Sequence, residues 1–207
     1  MRKRQATPSN DTAAPTKVQY KLDRLFTDQD PDLVIDCIAP LLAWVPDHKA
    51  SKLDLVIERC TGERAGVIDL TLAWDLPTLA GRIPGLTAHT QRLRKKTSAQ
   101  REHVTELASY GLAFVAISAL MPGRRVLRFH KGYAPDLLFD VTPTALKGVE
   151  VAGRSTGGHA ALRIVRDGSS REKGKALQLR EAPHVDEAHL SLWCATPSVG
   201  LFEQVKP

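Results

Sequence analysis

The most regular pattern of apolar and polar positions lies just after the middle of the chain. Apolar or small residues recur there at spacings of three and four: Val104, Leu107, Ala108, Gly111, Leu112, Val115 and Ala119. This spacing predicts an α-helix, with Thr97 and Gln100 as a capping box at its start and Pro122–Gly123 as its stop signal. The second half of the segment is apolar on nearly every side, which is typical of a helix that other elements cover.

Short apolar runs bounded by turn residues follow this helix. They predict strands at Arg125–His130, Pro135–Val141, Gly148–Gly153, Ala188–Cys194 and Val199–Gln204. Between the third and fourth runs, a glycine-rich joint at Ser155–Gly158 leads into a helix of undefined length that starts near His159. Residues 97–207 are therefore predicted to form an α/β unit.

The N-terminal half begins with weaker patterns. Residues 1–17 lack large apolar side chains and predict a flexible basic tail. Apolar residues at helical spacing predict a helix over Pro31–Val45, in which Pro40 is expected to cause a kink or a break.

Two apolar runs, Lys52–Cys60 and Val67–Trp74, flank the polar turn Thr61–Gly66 and predict a β-hairpin, with a helix as the alternative for the first run. Prolines and glycines interrupt Leu76–Gly85, which predicts a loop or a short turn. Residues 18–96 are thus expected to be an α+β extension, either a separate domain or a cap on the C-terminal sheet.

The composition indicates a globular protein with a sizeable core, since 43% of the 207 residues are apolar. The longest apolar stretch, Gly111–Pro122, is shorter than the ~20 residues that span a bilayer, and the first residues do not resemble a secretory signal. Cys37, Cys60 and Cys194 are scattered, which argues against a disulfide framework or a structural zinc site. We expect a soluble, cytoplasmic protein with no membrane partner.

The positive charge is unevenly distributed. The formal net charge is +6, which is mild evidence for a polyanionic partner. One basic group precedes the predicted helix, namely Arg92, Arg94, Lys95 and Lys96; a second lies further on, namely Arg154, Arg163, Arg166, Arg171, Lys173, Lys175 and Arg180. The alternative is that this charge is incidental.

Two acidic residues fall on neighbouring predicted strands. Asp136 follows Pro135 at the start of the second strand, and Glu150 lies in the third. Hard divalent cations prefer carboxylate oxygens and retain several waters, one of which can serve as a nucleophile. Two acids on neighbouring strands can converge on one such ion; the alternative is a turn residue and a solvent-facing strand residue.

The order helix, three strands, helix, strand, with these acids in place, resembles the PD-(D/E)xK (restriction-endonuclease-like) nuclease superfamily. The resemblance covers about the C-terminal half of the chain. It implies a restriction-endonuclease-like α-β-β-β-α-β core, with Mg²⁺ bound by Asp136 and Glu150 and DNA as the partner. Several such families also carry a Glu in the first helix, for which Glu106 or Glu102 is the match.

One position departs from the family pattern. The family places a Lys two residues after the Glu, where this chain has Ala152. Arg154 has the same strand parity and is a candidate substitute, and Lys173 or Lys175 from the following helix are others, because some members of the superfamily move the Lys there. Gln178 loosely resembles the Gln that RecB-type exonucleases carry in that helix.

The segment Arg154–Gly158 (RSTGG) is a candidate phosphate-binding loop. Its members Arg154, Ser155, Thr156, Gly157 and Gly158 precede a helix, where backbone N–H groups and the helix dipole favour an anion. It lacks the Gly-Lys-Ser/Thr of a Walker loop, and a simple strand-to-helix turn is the alternative.

Other polar and aromatic residues are expected to be structural. His184, Asp186, Glu187 and His189 have no zinc-like spacing and are predicted to be surface residues. The three tryptophans, Trp44, Trp74 and Trp193, are expected in the core.

Three functions follow from these patterns. The first is a metal-dependent DNA nuclease of the PD-(D/E)xK type. The second is the same fold without catalysis, acting as a DNA-binding or protein-interaction module. The third is an unrelated α/β scaffold. A homodimer is compatible with each of them.

Overall fold

The computed structural model describes residues 14–47, 50–59, 66–96, 99–130, 132, 134–142 and 145–207. Its framework is one eight-stranded mixed sheet with the strand order β1-β3-β2-β8-β7-β6-β5-β4. The strands are β1 (Thr16–Lys21), β2 (Lys52–Arg59), β3 (Gly66–Ala73), β4 (Arg128–Phe129), β5 (Leu137–Thr142), β6 (Ala145–Thr156), β7 (Val185–Thr196) and β8 (Val199–Lys206). The chain is thus of the mixed α/β class that the sequence predicts.

The helices lie on both faces of this sheet. They are α1 (Leu25–Asp28, after a 3-10 turn at Leu22–Arg24), α2 (Pro31–Trp44), α3 (Leu76–Arg82), α4 (Leu86–Arg94), α5 (Arg101–Leu120), α6 (Gly158–Asp167) and α7 (Lys175–Glu181). Helices α2 and α5 share the larger core with one face of the sheet, whereas α6 and α7 cover a smaller core on the opposite face.

The predicted hairpin is confirmed and is part of the main sheet. Strands β2 and β3 pair in antiparallel fashion, and β2 continues the sheet by pairing in parallel with β8. Alternate residues of β2, namely Leu53, Leu55 and Ile57, are buried in the larger core, as period-two alternation requires. The N-terminal strands therefore extend the sheet of the C-terminal half.

Helix α5 is the buried helix that the apolar pattern predicts. This helix is long and apolar enough to cross a membrane, but 67% of its most apolar stretch is buried inside the molecule. Residues Leu112–Ile117 are almost completely covered by α2 and the sheet. This burial is compatible with the core helix of a soluble α/β domain.

The predicted loop at Leu76–Gly85 is wrong, because α3 occupies most of it. The Asp75 carboxylate caps this helix by accepting hydrogen bonds from the Thr78 N–H at 2.9 Å and the Thr78 hydroxyl at 2.6 Å. Pro77 lies in the first turn of α3, where backbone N–H groups make no intrahelical hydrogen bond, so the N–H that proline lacks is not needed. Helix α4, which follows α3, was not predicted either.

Helix α2 continues through Pro40 without the break that the proline was expected to cause.

The region after β6 also differs from the prediction. Two helices, α6 and α7, replace the single predicted helix, and a tight connection joins them. Gly168 (φ 86°) and Gly174 approach each other there so closely that a Cβ on Gly168 would lie 2.3 Å from the Gly174 nitrogen. Only glycine fits this approach, so the chain turns where one helix was expected to continue.

Strand lengths were predicted less well than strand positions. Strand β4 keeps only two residues of Arg125–His130, whereas β6 continues past Gly153 as far as Thr156. Its register with the parallel strand β7 is unbroken from Lys147 to Arg154. Pairing with β7 therefore keeps β6 regular through Gly153, beyond the predicted end of the strand.

Some predictions concern segments outside the described residues. These are the first residues of the tail, the turn between β2 and β3, and the Thr97 capping position. Within the described part, Thr16 and Lys17 lie in β1, and α5 begins at Arg101 with no side-chain cap from Gln100.

Candidate active site

Asp136, the first candidate acid, lies where the pairing between β5 and β6 ends. The two strands pair as far as Leu137 and Val149, and β6 then continues to Thr156 without β5 beside it. Asp136 immediately precedes β5, so its side chain lies at this open edge. Its Oδ2 atom accepts a hydrogen bond from the Val151 N–H at 2.8 Å.

Glu150 lies next to Val151 on β6 and is only 5% exposed. Its Oε1 atom accepts a hydrogen bond from Lys175 Nζ, at the start of α7. Its Oε2 atom is buried and receives no hydrogen bond. A buried acceptor without a donor is uncommon in folded proteins, so this oxygen lacks a partner that a bound ion could supply.

The two carboxyl groups face each other. The charge of Asp136 acts on the titration of Glu150, and Tyr110 of α5 hydrogen bonds to Asp136. Tyr110 is itself buried, and burial raises the pKa of its hydroxyl, which keeps it protonated as a donor. Strand β5, strand β6 and helix α5 therefore meet at one polar cluster.

Burial sets the electrostatics of this cluster. Desolvation is the largest effect on both acids and raises the pKa of Asp136 and of Glu150 above their ordinary values. The charge of Asp136 raises the pKa of Glu150 further, while Lys175 lowers the pKa of both. Because a single ammonium faces two carboxylates, the fully ionised cluster would carry a net negative charge that a cation can balance.

The cluster opens into a cavity of about 540 Å³. Because the cavity lies at the edge of the sheet, it receives side chains from both layers: Glu106 and Ser109 of α5 on one side, and Lys175 of α7 on the other. Arg154 and Ser155 of β6 complete its wall. Asp136 is therefore reachable from solvent through a space that holds polar groups of both signs, whereas Glu150 is buried and does not line this cavity.

The donor set fits a hard divalent cation that keeps several waters. Among the described residues, no group of three or more His, Cys, Asp or Glu side chains gathers around one point. The side-chain oxygens on offer are those of Asp136 and Glu150, with the orphaned Oε2 atom among them. The N–H and C=O of a strand residue point to the same edge, so the Val151 carbonyl lies on the edge that Asp136 occupies. Carboxylate, carbonyl and water oxygens are what Mg²⁺ prefers.

The structure separates the two candidate lysines. Lys175 contacts Glu150, whereas Lys173 is exposed and pairs with Glu181 at 2.7 Å. The Gln178 side chain donates to the Lys173 carbonyl at 2.8 Å and faces a smaller cavity outside the acidic cluster. Among these helix residues only Lys175 reaches the acids.

The glycine-rich segment is partly strand and partly turn. Ser155 and Thr156 belong to β6, and Thr156 pairs with Thr196 of β7. Gly157 (φ 106°) makes the turn, and the N–H of Gly158 already donates to Cys194 Sγ at 3.2 Å. Of these residues, Ser155 alone lies in the main cavity together with Arg154.

Tyr110 and a second polar cluster were missed in the sequence. Tyr110 lies one helical turn after Glu106, and this spacing could have revealed it. Glu187 and His189 were predicted at the surface, but both are largely buried on β7. Glu187 accepts from His189 at 2.9 Å and from Arg124 at 3.0 Å. Glu187 and His189 are two residues apart in a strand, so the sequence could have shown that their side chains lie on the same face.

Comparison with known proteins gives no relative. No family model matches the chain, and neither a curated protein nor a solved structure matches it.

Proposed function

We propose that this protein is a divalent-metal-dependent phosphodiesterase that cleaves DNA, with Asp136 and Glu150 as the metal ligands. The observation that carries the proposal is the buried pair of facing carboxyl groups, of which Glu150 Oε2 lacks any hydrogen-bond donor. Two desolvated acids are unfavourable in isolation. Such a pair is expected where a cation belongs.

The order of elements supports a restriction-endonuclease-like core. Helix α5 precedes the strands β4, β5 and β6, two helices follow, and β7 returns beside β6 in parallel orientation. This matches the order that the resemblance to the PD-(D/E)xK superfamily implies. Asp136 and Glu150 stand at the second and third of these strands, as that resemblance also implies.

A bound Mg²⁺ would supply a nucleophilic water at neutral pH and would neutralise charge on the phosphate. Asp136 and Glu150 would hold that ion, and the residues around them orient their carboxyl groups. The Val151 N–H and the Tyr110 hydroxyl both hydrogen bond to Asp136, which fixes the carboxylate in place. Glu106 lies further out in the same cavity, where it can act through water.

Lys175 takes the role of the lysine that the family places two residues after the Glu. It reaches Glu150 from the first turn of α7, and its side chain is 30% exposed toward the cavity. From this position its ammonium donates hydrogen bonds to the attacking water and stabilises charge on the phosphate. Arg154 is exposed on the same strand and offers a second positive group to the phosphate.

DNA is proposed as the substrate on the basis of charge. The chain carries a net charge of +6, and Arg154 and Lys175 line the cavity. A phosphodiester brings the anionic oxygens that a metal ion and Lys175 would bind. If the fold binds DNA without cleaving it, the protein is the non-catalytic module instead.

The test is cleavage of plasmid and single-stranded DNA with Mg²⁺ or Mn²⁺. We expect nicking by the wild type and its loss in Asp136→Asn and Glu150→Gln, which remove ligand charge while preserving shape. The matched control is Asp186→Asn on the exposed side of β7, which should cleave like the wild type. Binding without cleavage across both metals would support the non-catalytic module.

A further inference from the structure

A second cavity of about 230 Å³ adjoins the candidate active site. It lies between the end of α2, the end of α4 and the start of α5, and it shares Thr105 and Ser155 with the main cavity. A ligand that enters the acidic site can therefore continue into this second space.

The second cavity is lined by cations without acidic partners. Arg94, Lys96 and Arg101 all contribute to its wall. In the part of the chain that the structure describes, none of the three forms an ion pair. Arg94 donates to the Leu42 carbonyl at 2.7 Å, but its Nε atom is buried and donates to nothing.

A tryptophan in the same wall also has a hydrogen-bond donor without an acceptor. Trp44 is only 8% exposed, and its Nε1–H is buried without an acceptor. Buried Trp N–H groups usually find a partner. Two residues of this wall therefore carry a buried donor without an acceptor, beside three positive charges, and an anion bound against the wall would supply one.

The backbone adds to the positive potential. Helix α5 begins at Arg101, in the wall of this cavity, and the side chain of Gln100, its N-cap residue, makes no capping hydrogen bond. The positive end of a helix dipole and its free amides attract an anion. The side chains and the helix therefore favour the same kind of ligand.

We infer that the cavity of Trp44, Arg94 and Arg101 binds a backbone phosphate of the DNA strand whose neighbouring phosphate lies at Asp136 and Glu150. The inference rests on the proposed function for the identity of the strand. It adds a site that holds the substrate and sets its direction, from the basic cavity through Thr105 and Ser155 to the acids.

The test is binding of a fluorescein-labelled single-stranded oligonucleotide in EDTA, measured by anisotropy over a series of salt concentrations. The variants are Arg101→Ala and Trp44→Phe, with Lys17→Ala on the distant edge strand β1 as the control for loss of one exposed charge. Thermal unfolding of each variant checks that the fold is intact.

The three variants have different expected signatures. Arg101→Ala should weaken binding about tenfold, as expected for a charge-assisted hydrogen bond, and should lower the slope of log K against log salt by about 0.7. Trp44→Phe loses a neutral donor, so it should weaken binding several-fold and leave the slope unchanged. Lys17→Ala should change neither quantity.

The inference is overturned if Arg101→Ala and Lys17→Ala behave alike, or if folded Trp44→Phe binds like the wild type. Absence of any binding at low salt overturns it as well. Since this assay needs no metal, it is independent of catalysis. If the variants show the expected binding changes but the protein does not cleave DNA, the phosphate site stands and the nuclease proposal fails. If the protein cleaves DNA and Arg101→Ala leaves KM unaltered, the nuclease proposal stands and the phosphate site fails.

Discussion

The ammonium of Lys175 donates a hydrogen bond to Glu150, although the two residues are 25 positions apart in the chain. The first turn of α7 thereby places a positive charge beside the acid of β6. The resemblance to PD-(D/E)xK nucleases implies a lysine at this location, but the position in β6 that should hold it is Ala152. The contact gives the proposed site its missing cation.

Loss of Lys175 should therefore remove most of the proposed activity. We expect Lys175→Ala to lower kcat for DNA cleavage about 100- to 1000-fold, the usual effect of removing one group that stabilises transition-state charge. Lys173→Ala is the control, because Lys173 pairs with Glu181 away from the acids. Equal loss in the two variants would contradict the assignment.

A lysine introduced at Ala152 of β6 should restore part of the activity that is lost with Lys175. Ala152 has the same parity as Glu150 on β6 and lines the main cavity, so its side chain lies on the same face. We expect the double variant Lys175→Ala, Ala152→Lys to recover about tenfold or more of the lost kcat. The rates of the double and the single variant are compared directly; recovery by Ala152→Arg to the same level would show that charge alone suffices.

The metal-free protein should become more stable when Asp136 is neutralised. Because burial raises the pKa of Asp136, the folded state holds this proton more tightly than the unfolded state. The wild type therefore loses stability as the pH rises from the unfolded pKa of about 3.9 toward neutrality. Asp136→Asn keeps the acceptor for the Val151 N–H without that loss.

We expect Asp136→Asn in EDTA to melt several degrees above the wild type at pH 7 and close to it at pH 4. A change of 1 kcal/mol shifts the Tm of a chain of this size by about 2–4 °C. The comparison uses thermal unfolding at both pH values, with Asp186→Asn as the control. A melting temperature below that of the wild type at pH 7 would contradict the electrostatic account.

The Tyr110 hydroxyl should set the pH range of catalysis. Its hydrogen bond lowers the pKa of Asp136, in opposition to burial. In Tyr110→Phe the pKa of Asp136 rises further, so the acid limb of the pH–rate profile should move to higher pH. The rate at the plateau should change little. An unshifted acid limb would show that this hydroxyl does not act on the carboxylate.

A buried ion pair on the other face of the sheet should stabilise the fold. Glu203 of β8 is completely buried and is paired with Arg166 of α6 and, at 3.4 Å, with Arg180 of α7. Removal of one partner leaves a buried charge, so we expect Arg166→Ala to lower the free energy of unfolding by about 3 kcal/mol. Arg163→Ala is the control, because its pair with Glu58 is more exposed and should be worth about 0–1 kcal/mol. Urea denaturation measures both.

The sequence predicts the elements that periodicity defines and misses those that distant contacts decide. Helices α2 and α5 and the β2–β3 hairpin appear in the spacing of apolar residues. Helix α3 does not, because Pro77 and Gly81 suggest a loop until the cap at Asp75 is known. The extension of β6 to Thr156 depends on pairing with β7, which no local pattern encodes.

The candidate site shows the same division. Asp136 and Glu150 were predicted from their strand positions, and the structure brings their carboxyl groups together. The choice of Lys175 over Lys173 could not be made from sequence, since it depends on the turn at Gly168 and Gly174 that orients α7. Glu187 and His189 were misplaced because β7 is covered on both faces, which its local sequence does not indicate.

Isothermal titration of Mn²⁺ into the metal-free protein tests the central claim most directly, because it requires neither substrate nor catalysis. The account predicts one ion per chain for the wild type and for Asp186→Asn, and a loss of binding in both Asp136→Asn and Glu150→Gln. Undetectable binding to the wild type, or equal binding to all four proteins, would contradict it.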